Sequence, residues 1–159
     1  MTNAHNERKG FTLIELLVVI AILSILLVIV LVAINPARQT QKARNTQRRA
    51  DVLVMLNAVN AYFVEEGAFP DGSPAAGAGA KDINSTAMAG TDFCTDLISI
   101  YVAKFPFDPS KSGATFTDCA TTPWDTGYTI SISATDDRVT ITAPYSTSDG
   151  SPTVISATR

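Results

Sequence analysis

The sequence predicts an α+β protein in which a long N-terminal helix precedes a small antiparallel sheet. Residues 16–34 form a run of 19 uncharged residues, all apolar except Ser24. Apolar residues then recur at helical spacing from Val52 to Phe63. Further along, Tyr128 begins a stretch in which apolar and polar residues alternate with a period of two, which is typical of strands.

The N-terminal apolar run predicts one membrane span. Of the 159 residues, 46% are hydrophobic and only 17% charged, against roughly 25% charged in soluble domains. Residues 11–34 contain 21 apolar residues out of 24. As a helix, residues 16–34 rise about 28 Å, close to the roughly 30 Å hydrocarbon core of a bilayer. No second block approaches this length, which excludes a multi-span protein.

Charge and histidine content argue against catalysis. Residues 35–50 carry five bases and no acid, whereas residues 51–159 carry five bases and thirteen acids. The one histidine is His5. Most nucleophilic triads and zinc sites use histidine. We therefore expect no enzyme activity, no cofactor, no metal and no small-molecule substrate.

The residues before the apolar run carry a specific motif, Arg-Lys-Gly-Phe-Thr-Leu-Ile-Glu-Leu-Leu from Arg8 to Leu17. It closely resembles the N-terminus of type IV prepilins and of the pseudopilins of type II secretion systems. In that family a membrane aspartyl peptidase cuts after the glycine and N-methylates the exposed phenylalanine. The resemblance implies cleavage between Gly10 and Phe11. It also implies that Glu15 pairs with the N-terminal amine of a neighbouring subunit during assembly.

Other interpretations of this segment stay open. Glu15 near the helix start is also favoured by the helix dipole, although an ionised carboxylate within the apolar region costs on the order of 3 kcal/mol. A removable secretory signal would need a shorter apolar stretch and a better cleavage site than 33–35. By the positive-inside rule, the bases after the span favour a cytoplasmic C-terminus. The rule loses force here because the domain that follows the span has more than 100 residues. We expect the C-terminus outside.

A second, amphipathic helix is predicted after the span. Pro36 interrupts the helical pattern because proline removes a backbone hydrogen bond, and this helix break marks the membrane exit. Helix-favouring residues resume and continue to Glu66, and Gly67 is a fitting stop. The stripe expected to pack on the sheet consists of Val52, Leu53, Met55, Leu56, Ala58, Val59, Tyr62 and Phe63.

Five bases of this helix form what we call the basic collar: Arg38, Lys42, Arg44, Arg48 and Arg49. The collar lacks interleaved aromatic residues and adjoins the predicted span, which argues against a nucleic-acid partner. Lipid headgroups fit better, at about 1 kcal/mol per base near an anionic surface. Acidic residues of neighbouring subunits are the other candidate partners.

The C-terminal part combines a loop, two cysteines and alternating strands. Residues 67–92 are rich in Gly, Ala, Pro and Ser, which predicts an exposed loop. Cys94 and Cys119 most simply form a disulfide in an exported domain, the alternative being two buried thiols. Residues 97–102 predict a short helix. The alternating residues at 128–134, 139–143 and 153–156 predict a three-stranded antiparallel meander.

Two smaller features of this region bear on function. Residues 105–109 read Phe-Pro-Phe-Asp-Pro and resemble a turn of major pseudopilins, but Trp124 follows only after an insertion. The calcium sites of such pseudopilins are therefore not carried over, and Asp136, Asp137 and Asp149 are expected to be solvated. Asn84 begins an Asn-Ser-Thr glycosylation pattern, which is common by chance.

The resemblance implies a pilin fold, with a membrane-spanning and an amphipathic half-helix packed on a small antiparallel sheet. We divide the chain into a leader (1–10), a transmembrane and filament-core helix (11–35), an amphipathic helix (36–66) and a globular head (67–159). The implied function is that of a structural subunit of a type IV pilus-like filament. The alternatives are a type II secretion pseudopilin and, more distantly, a single-span anchor with an extracytoplasmic binding head that does not polymerise.

The implied partners follow from this function. They are the prepilin peptidase and methyltransferase, further copies of the chain and related pilins, an inner-membrane assembly platform with its ATPase, and membrane lipids. The precursor is expected in the cytoplasmic membrane, and the mature form in a cell-surface or periplasm-spanning filament.

Overall fold

A computed structural model describes residues 10–144 and 154–159 of the chain. Helix α1 spans Leu13–Ile34 and helix α2 spans Pro36–Glu66. Strand β1 (Lys81–Asn84) and the short helix α3 (Phe93–Leu97) follow. The elements that complete the fold are the strands β2 (Asp125–Ile132), β3 (Val139–Ala143) and β4 (Ile155–Thr158).

The chain divides into two compact units, residues 1–39 and residues 40–159. The described part of the first unit contains α1 and the first residues of α2. The second unit contains the rest of α2 and the whole sheet, in which all neighbours are antiparallel and the order is β1-β2-β3-β4. The predicted combination of a long apolar helix with an antiparallel sheet is confirmed.

The core of the second unit joins one face of α2 to the sheet. Val52, Leu56 and Val59 are buried as predicted, in the same hydrophobic cluster as Ile130 and Ile141 of the sheet. The predictions for Leu53 and Phe63 are wrong, because they are 51% and 37% exposed. Phe63 instead stacks on Phe69, with ring centroids 4.5 Å apart. Leu53 follows Val52 by 100° around the helix, which turns it away from the buried face.

The sheet contains one strand that the sequence did not predict. Residues 67–92 were expected to form a loop, but β1 lies within them and pairs with β2 from Lys81 opposite Ile130. This four-residue strand has one fully buried residue, Ile83, so its alternation is too short to be recognised. The last strand is β4, and position 153 of the predicted third strand lies outside the described residues.

The short helix predicted at 97–102 is wrong in position. Helix α3 instead ends at Leu97, and Ile98 already has an extended backbone. Ser99 then adopts a left-handed conformation, and its N–H donates to the Val102 carbonyl at 2.9 Å. The apolar residues of this run form a turn, because a short apolar run fits several structures equally well.

Candidate processing and assembly site

The predicted cleavage site lies immediately before α1. Gly10 and Phe11 are both exposed, and the Phe11 side chain is 84% accessible. A Cβ atom added to Gly10 would meet nothing within 4 Å among the described residues. Neither residue is therefore covered by the rest of the described chain. Arg8 of the motif lies outside the described residues.

Thr12 and Glu15 form a capping box at the start of α1. The backbone N–H and the hydroxyl of Thr12 each donate to Glu15 Oε2 at 2.8 Å. The Glu15 N–H in turn donates to Thr12 Oγ1 at 3.3 Å. Such reciprocal bonds satisfy donors that a helix start leaves unpaired. None of these bonds involves the peptide predicted to be cut, so the box can persist after cleavage.

Helix α1 exposes an apolar surface over its whole length. None of its 22 residues is buried, and Glu15 is its one charged residue. The Ser24 hydroxyl donates to the Ile20 carbonyl at 2.7 Å, which removes it as a polar surface group. By length and composition the helix can cross a membrane. A surface of this kind needs a bilayer or other apolar helices around it.

The break between α1 and α2 is located at Asn35. This residue ends α1 in a left-handed conformation, with φ 45° and ψ 79°, which asparagine tolerates better than most residues. Its backbone carbonyl accepts a hydrogen bond from the Arg38 N–H at 3.1 Å. Pro36 is the first residue of α2, where the missing N–H costs nothing.

For one residue of the basic collar the predicted surface position is wrong. Arg38, Lys42, Arg44 and Arg49 are exposed, as lipid or subunit contacts require. Arg48 is instead only 1% exposed. Its expected role in a surface collar is therefore wrong, because its position on α2 turns it towards the core of the second unit.

Arg48 forms a bidentate ion pair with Asp108. Arg48 Nε lies 2.7 Å from Asp108 Oδ2, and Nη2 lies 2.9 Å from Oδ1. Arg48 also donates to Asn45 Oδ1 at 2.6 Å and to the Ser110 hydroxyl. Burial raises the pKa of Asp108, but the hydrogen bonds from Arg48 and Ser110 outweigh it and hold this pKa below its usual value. The pair fixes α2 to the turn that resembles a pseudopilin segment.

A second polar contact lies beside this pair. The Tyr128 hydroxyl donates to Asp51 Oδ2 at 2.7 Å. Burial raises the pKa of Asp51, and the negative charge of Asp108 adds to this rise, while the Tyr128 hydrogen bond opposes it. Burial and the bond to Asp51 also raise the pKa of Tyr128. Sequence patterns missed both contacts, although an aspartate within the apolar 105–109 turn was a signal for a buried partner.

The two cysteines are joined in a disulfide. Cys94 lies in α3 and is 6% exposed, and its Cα atom is 5.7 Å from that of Cys119. The bond closes a loop with a sequence separation of 25 residues. Phe105 and Phe116 lie within that loop, with ring centroids 5.2 Å apart. The disulfide therefore encloses part of the aromatic core of the second unit.

The remaining candidate residues are not brought together into a site. Asn84 uses its side-chain oxygen to accept hydrogen bonds from the backbone N–H groups of Thr86 and Ala87, at 3.1 and 2.7 Å. Asp136 and Asp137 are exposed in the turn between β2 and β3. Within residues 10–144 and 154–159 no three potential metal ligands cluster. Position 149 lies outside these residues.

Comparisons with known proteins find a family model and two pilin-type relatives. Residues 5–31 match a family model described as the prokaryotic N-terminal methylation motif. Fimbrial protein EcpC of Eikenella corrodens is 41% identical over 93 residues, which are 54% of this chain and 58% of that protein. Type IV major pilin protein PilE1 of Neisseria gonorrhoeae is 42% identical over 70 residues, or 43% and 31% of the two chains.

These matches confirm the predicted resemblance to type IV prepilins. The matched segments span less than two thirds of the length of either relative. No solved structure gives a significant match.

Proposed function

We propose that this chain is the precursor of a structural subunit of a type IV pilus-like filament, with no catalytic role of its own. One observation carries the proposal. Helix α1 is apolar and exposed from end to end, has Glu15 as its one charge, and overlaps over residues 13–31 with the region that matches the methylation motif. Similarity to a fimbrial protein and to a type IV major pilin supports a filament.

The precursor is first held in the cytoplasmic membrane by α1, with the second unit outside. The disulfide supports this orientation, because such bonds persist in oxidising compartments. A prepilin peptidase then removes residues 1–10 and methylates the Phe11 amine. An inner-membrane platform and its ATPase transfer the mature subunit from the lipid into the filament, where residues 11–35 lie in the core.

Glu15 guides this transfer by pairing with the Phe11 amine of a neighbouring subunit. Both hydrogen bonds from Thr12 go to Glu15 Oε2. The carboxylate therefore keeps its capping role while Oε1 can accept a bond from a neighbour's ammonium group. In an apolar surrounding this pairing removes the cost of an isolated charge.

The N-terminus of assembled protein tests the proposal directly. Filaments are sheared from the cells that produce the chain, and the subunit is examined by mass spectrometry. We expect an N-terminus at Phe11 that carries one methyl group. Assembled protein that still contains residues 1–10 would contradict the proposed processing. As a control, Gly10→Arg should leave the precursor in the membrane fraction with the leader attached.

The alternative function, as a type II secretion pseudopilin, is favoured by the segment 105–109. This turn resembles that of major pseudopilins, and its Asp108 anchors α2 through Arg48. Deletion of the gene discriminates between the two functions. Loss of surface fibres with normal protein secretion supports a pilus, whereas retained fibres with failed secretion supports a pseudopilin.

A further inference from the structure

The Asn-Ser-Thr pattern at 84–86 is the one acceptor pattern for N-linked glycosylation in the chain. The sequence contains seven asparagines, and none of the other six has a serine or threonine two positions later. Because such a pattern is common by chance, its meaning depends on where the fold places it. A usable acceptor lies at the surface of an exported domain, with its side-chain nitrogen and the hydroxyl two residues later both accessible.

The pattern lies where strand β1 ends and a turn begins. Asn84 is the last residue of β1, and its backbone carbonyl accepts a hydrogen bond from the Met88 N–H at 3.0 Å. Ile83 is fully buried, whereas Asn84 is half-buried and Thr86 is exposed. Strand β1 begins the strand order, so β2 is its one strand partner among the described residues. The pattern therefore lies at an edge of the sheet, and the described chain leaves its last residue uncovered.

The Asn84 side chain is held by its oxygen and not by its nitrogen. Oδ1 accepts hydrogen bonds from the backbone N–H groups of Thr86 and Ala87, at 3.1 and 2.7 Å. Because a backbone N–H can only donate, the atom that faces both groups must be the oxygen, and this fixes the orientation of the amide. Within residues 10–144 and 154–159, Nδ2 makes no hydrogen bond. The turn therefore leaves the acceptor nitrogen available.

The two hydroxyl residues of the pattern differ in their contacts. The Ser85 hydroxyl accepts a hydrogen bond from the Trp124 N–H at 3.1 Å, and the Ser85 N–H donates to the Trp124 carbonyl at 2.9 Å. The Thr86 hydroxyl, in contrast, makes no hydrogen bond to any described residue. The middle position of the pattern accepts any residue except proline. Ser85 therefore anchors the segment, while the two required side chains stay available.

The modification requires an exported domain, and the disulfide supports export. Cys94 and Cys119 are joined, and such bonds persist in oxidising compartments. This inference therefore rests on the proposed function, in which α1 holds the precursor in the membrane with the second unit outside.

We propose that Asn84 is an N-linked glycosylation site, with Nδ2 as the acceptor atom. The donor class is an oligosaccharide joined through a diphosphate to a polyprenyl lipid in the same membrane as α1. Nδ2 attacks C1 of the first sugar, so that a bond between nitrogen and C1 forms while the bond between C1 and the diphosphate oxygen breaks. The amide proton passes to the leaving polyprenyl diphosphate, and no oxidation or reduction takes place. Thr86 supplies the hydroxyl that the transferring enzyme recognises.

Mass spectrometry of the full-length chain from the cells that produce it tests the site. Trypsin cuts after Lys81 and Lys104, so the pattern lies within one peptide, 82–104, and the processed N-terminus within another, 11–38. We expect peptide 82–104 to carry a glycan that fragmentation assigns to Asn84. Asn57 is exposed but lacks the pattern, and it should be unmodified in the same digest. An unmodified peptide 82–104 from protein that begins at Phe11 would overturn the inference and leave the proposed processing intact.

Two variants at one position form a matched pair. T86S keeps the hydroxyl and should keep the glycan, whereas T86A removes the hydroxyl and should abolish the glycan. The Thr86 hydroxyl has no partner among the described residues, so neither change removes a contact of the fold. A glycan that persists in T86A or in N84Q, or one attached to a hydroxyl of the pattern, would overturn the inference. Protein that retains residues 1–10 would instead contradict the proposed function, and its peptide 82–104 would still report the modification.

Discussion

Replacement of Arg48 by methionine measures how much its ion pair with Asp108 contributes to the stability of the second unit. The Arg48 and Asp108 side chains are 1% and 0% exposed, and two hydrogen bonds of 2.7 and 2.9 Å join them. Methionine keeps an apolar stem of similar length, but leaves the Asp108 carboxylate buried with only the bonds from Ser110. Removing one partner of a buried ion pair costs about 3–5 kcal/mol. This is a large part of a typical folding free energy of about 5–15 kcal/mol.

The assay is urea unfolding of residues 40–159, followed by the fluorescence of Trp124, which is 4% exposed in the core. We expect Arg48→Met to lower the free energy of unfolding by about 3–5 kcal/mol. The matched control is Arg44→Met, an exposed position of the same helix, where the change should stay within about 0.5 kcal/mol. A loss at Arg48 no larger than the loss at Arg44 would refute the reasoning.

The same ion pair predicts a pH dependence. The folded pKa of Asp108 lies below its unfolded value, so its stabilising contribution is present above about pH 4 and is lost as the pH falls through the folded pKa. Arg48→Met should make this loss of stability at low pH smaller. The ionised Asp51 carboxylate has the opposite effect on stability: its pKa is raised in the folded state, so its ionisation disfavours folding. Asp51→Asn should therefore raise stability at pH 7 relative to the unmodified chain.

Three further changes test other parts of the molecule. Glu15→Gln keeps an oxygen that can accept the Thr12 bonds but removes the charge, so we expect normal processing by mass spectrometry and loss of surface filaments. Unchanged filament amounts would contradict the pairing. Replacing Cys94 and Cys119 by serine should lower the free energy of unfolding by about 3.5 kcal/mol for a loop of this length, and a loss below about 1 kcal/mol in urea unfolding would contradict the chain-entropy account. Gly127→Ala should destabilise more than Gly79→Ala in the same assay: both positions have positive φ, but only at 127 would the new Cβ lie 3.0 Å from the Asp108 side chain. Equal losses would exclude that contact as the cause.

The features that the sequence predicted correctly depend on patterns local in the chain. The apolar run became α1 because any helix of that composition satisfies its own backbone and exposes only apolar side chains. The alternation from Tyr128 and from Val139 became β2 and β3 with the expected inward residues. The capping box at the start of α1 was not predicted, although it too is a local pattern, Thr12 followed three residues later by Glu15.

The features that were missed depend on contacts between distant segments. Strand β1 has only four residues, and its pairing with β2 about 50 positions later decides its conformation. The turn after α3 is set in the same way by its surroundings, since five apolar residues alone fit either a helix or a turn.

The sequence alone determined the chemistry of the N-terminal region: an apolar helix with a single acid, whose first part belongs to a match with the N-terminal methylation motif. These properties need no tertiary structure, because composition and order within about 30 residues specify them. Only the tertiary structure showed that one of the five bases of the collar, Arg48, forms a buried ion pair while the other four are exposed. Arg48 lies four residues before Val52 and therefore shares the buried face of α2, whereas Arg49 does not. The charge of Arg48 is tolerated there because the fold brings Asp108, 60 positions away, to a place where it can neutralise the charge. A buried charge is tolerated only with such a partner, and no local pattern specifies where that partner will be.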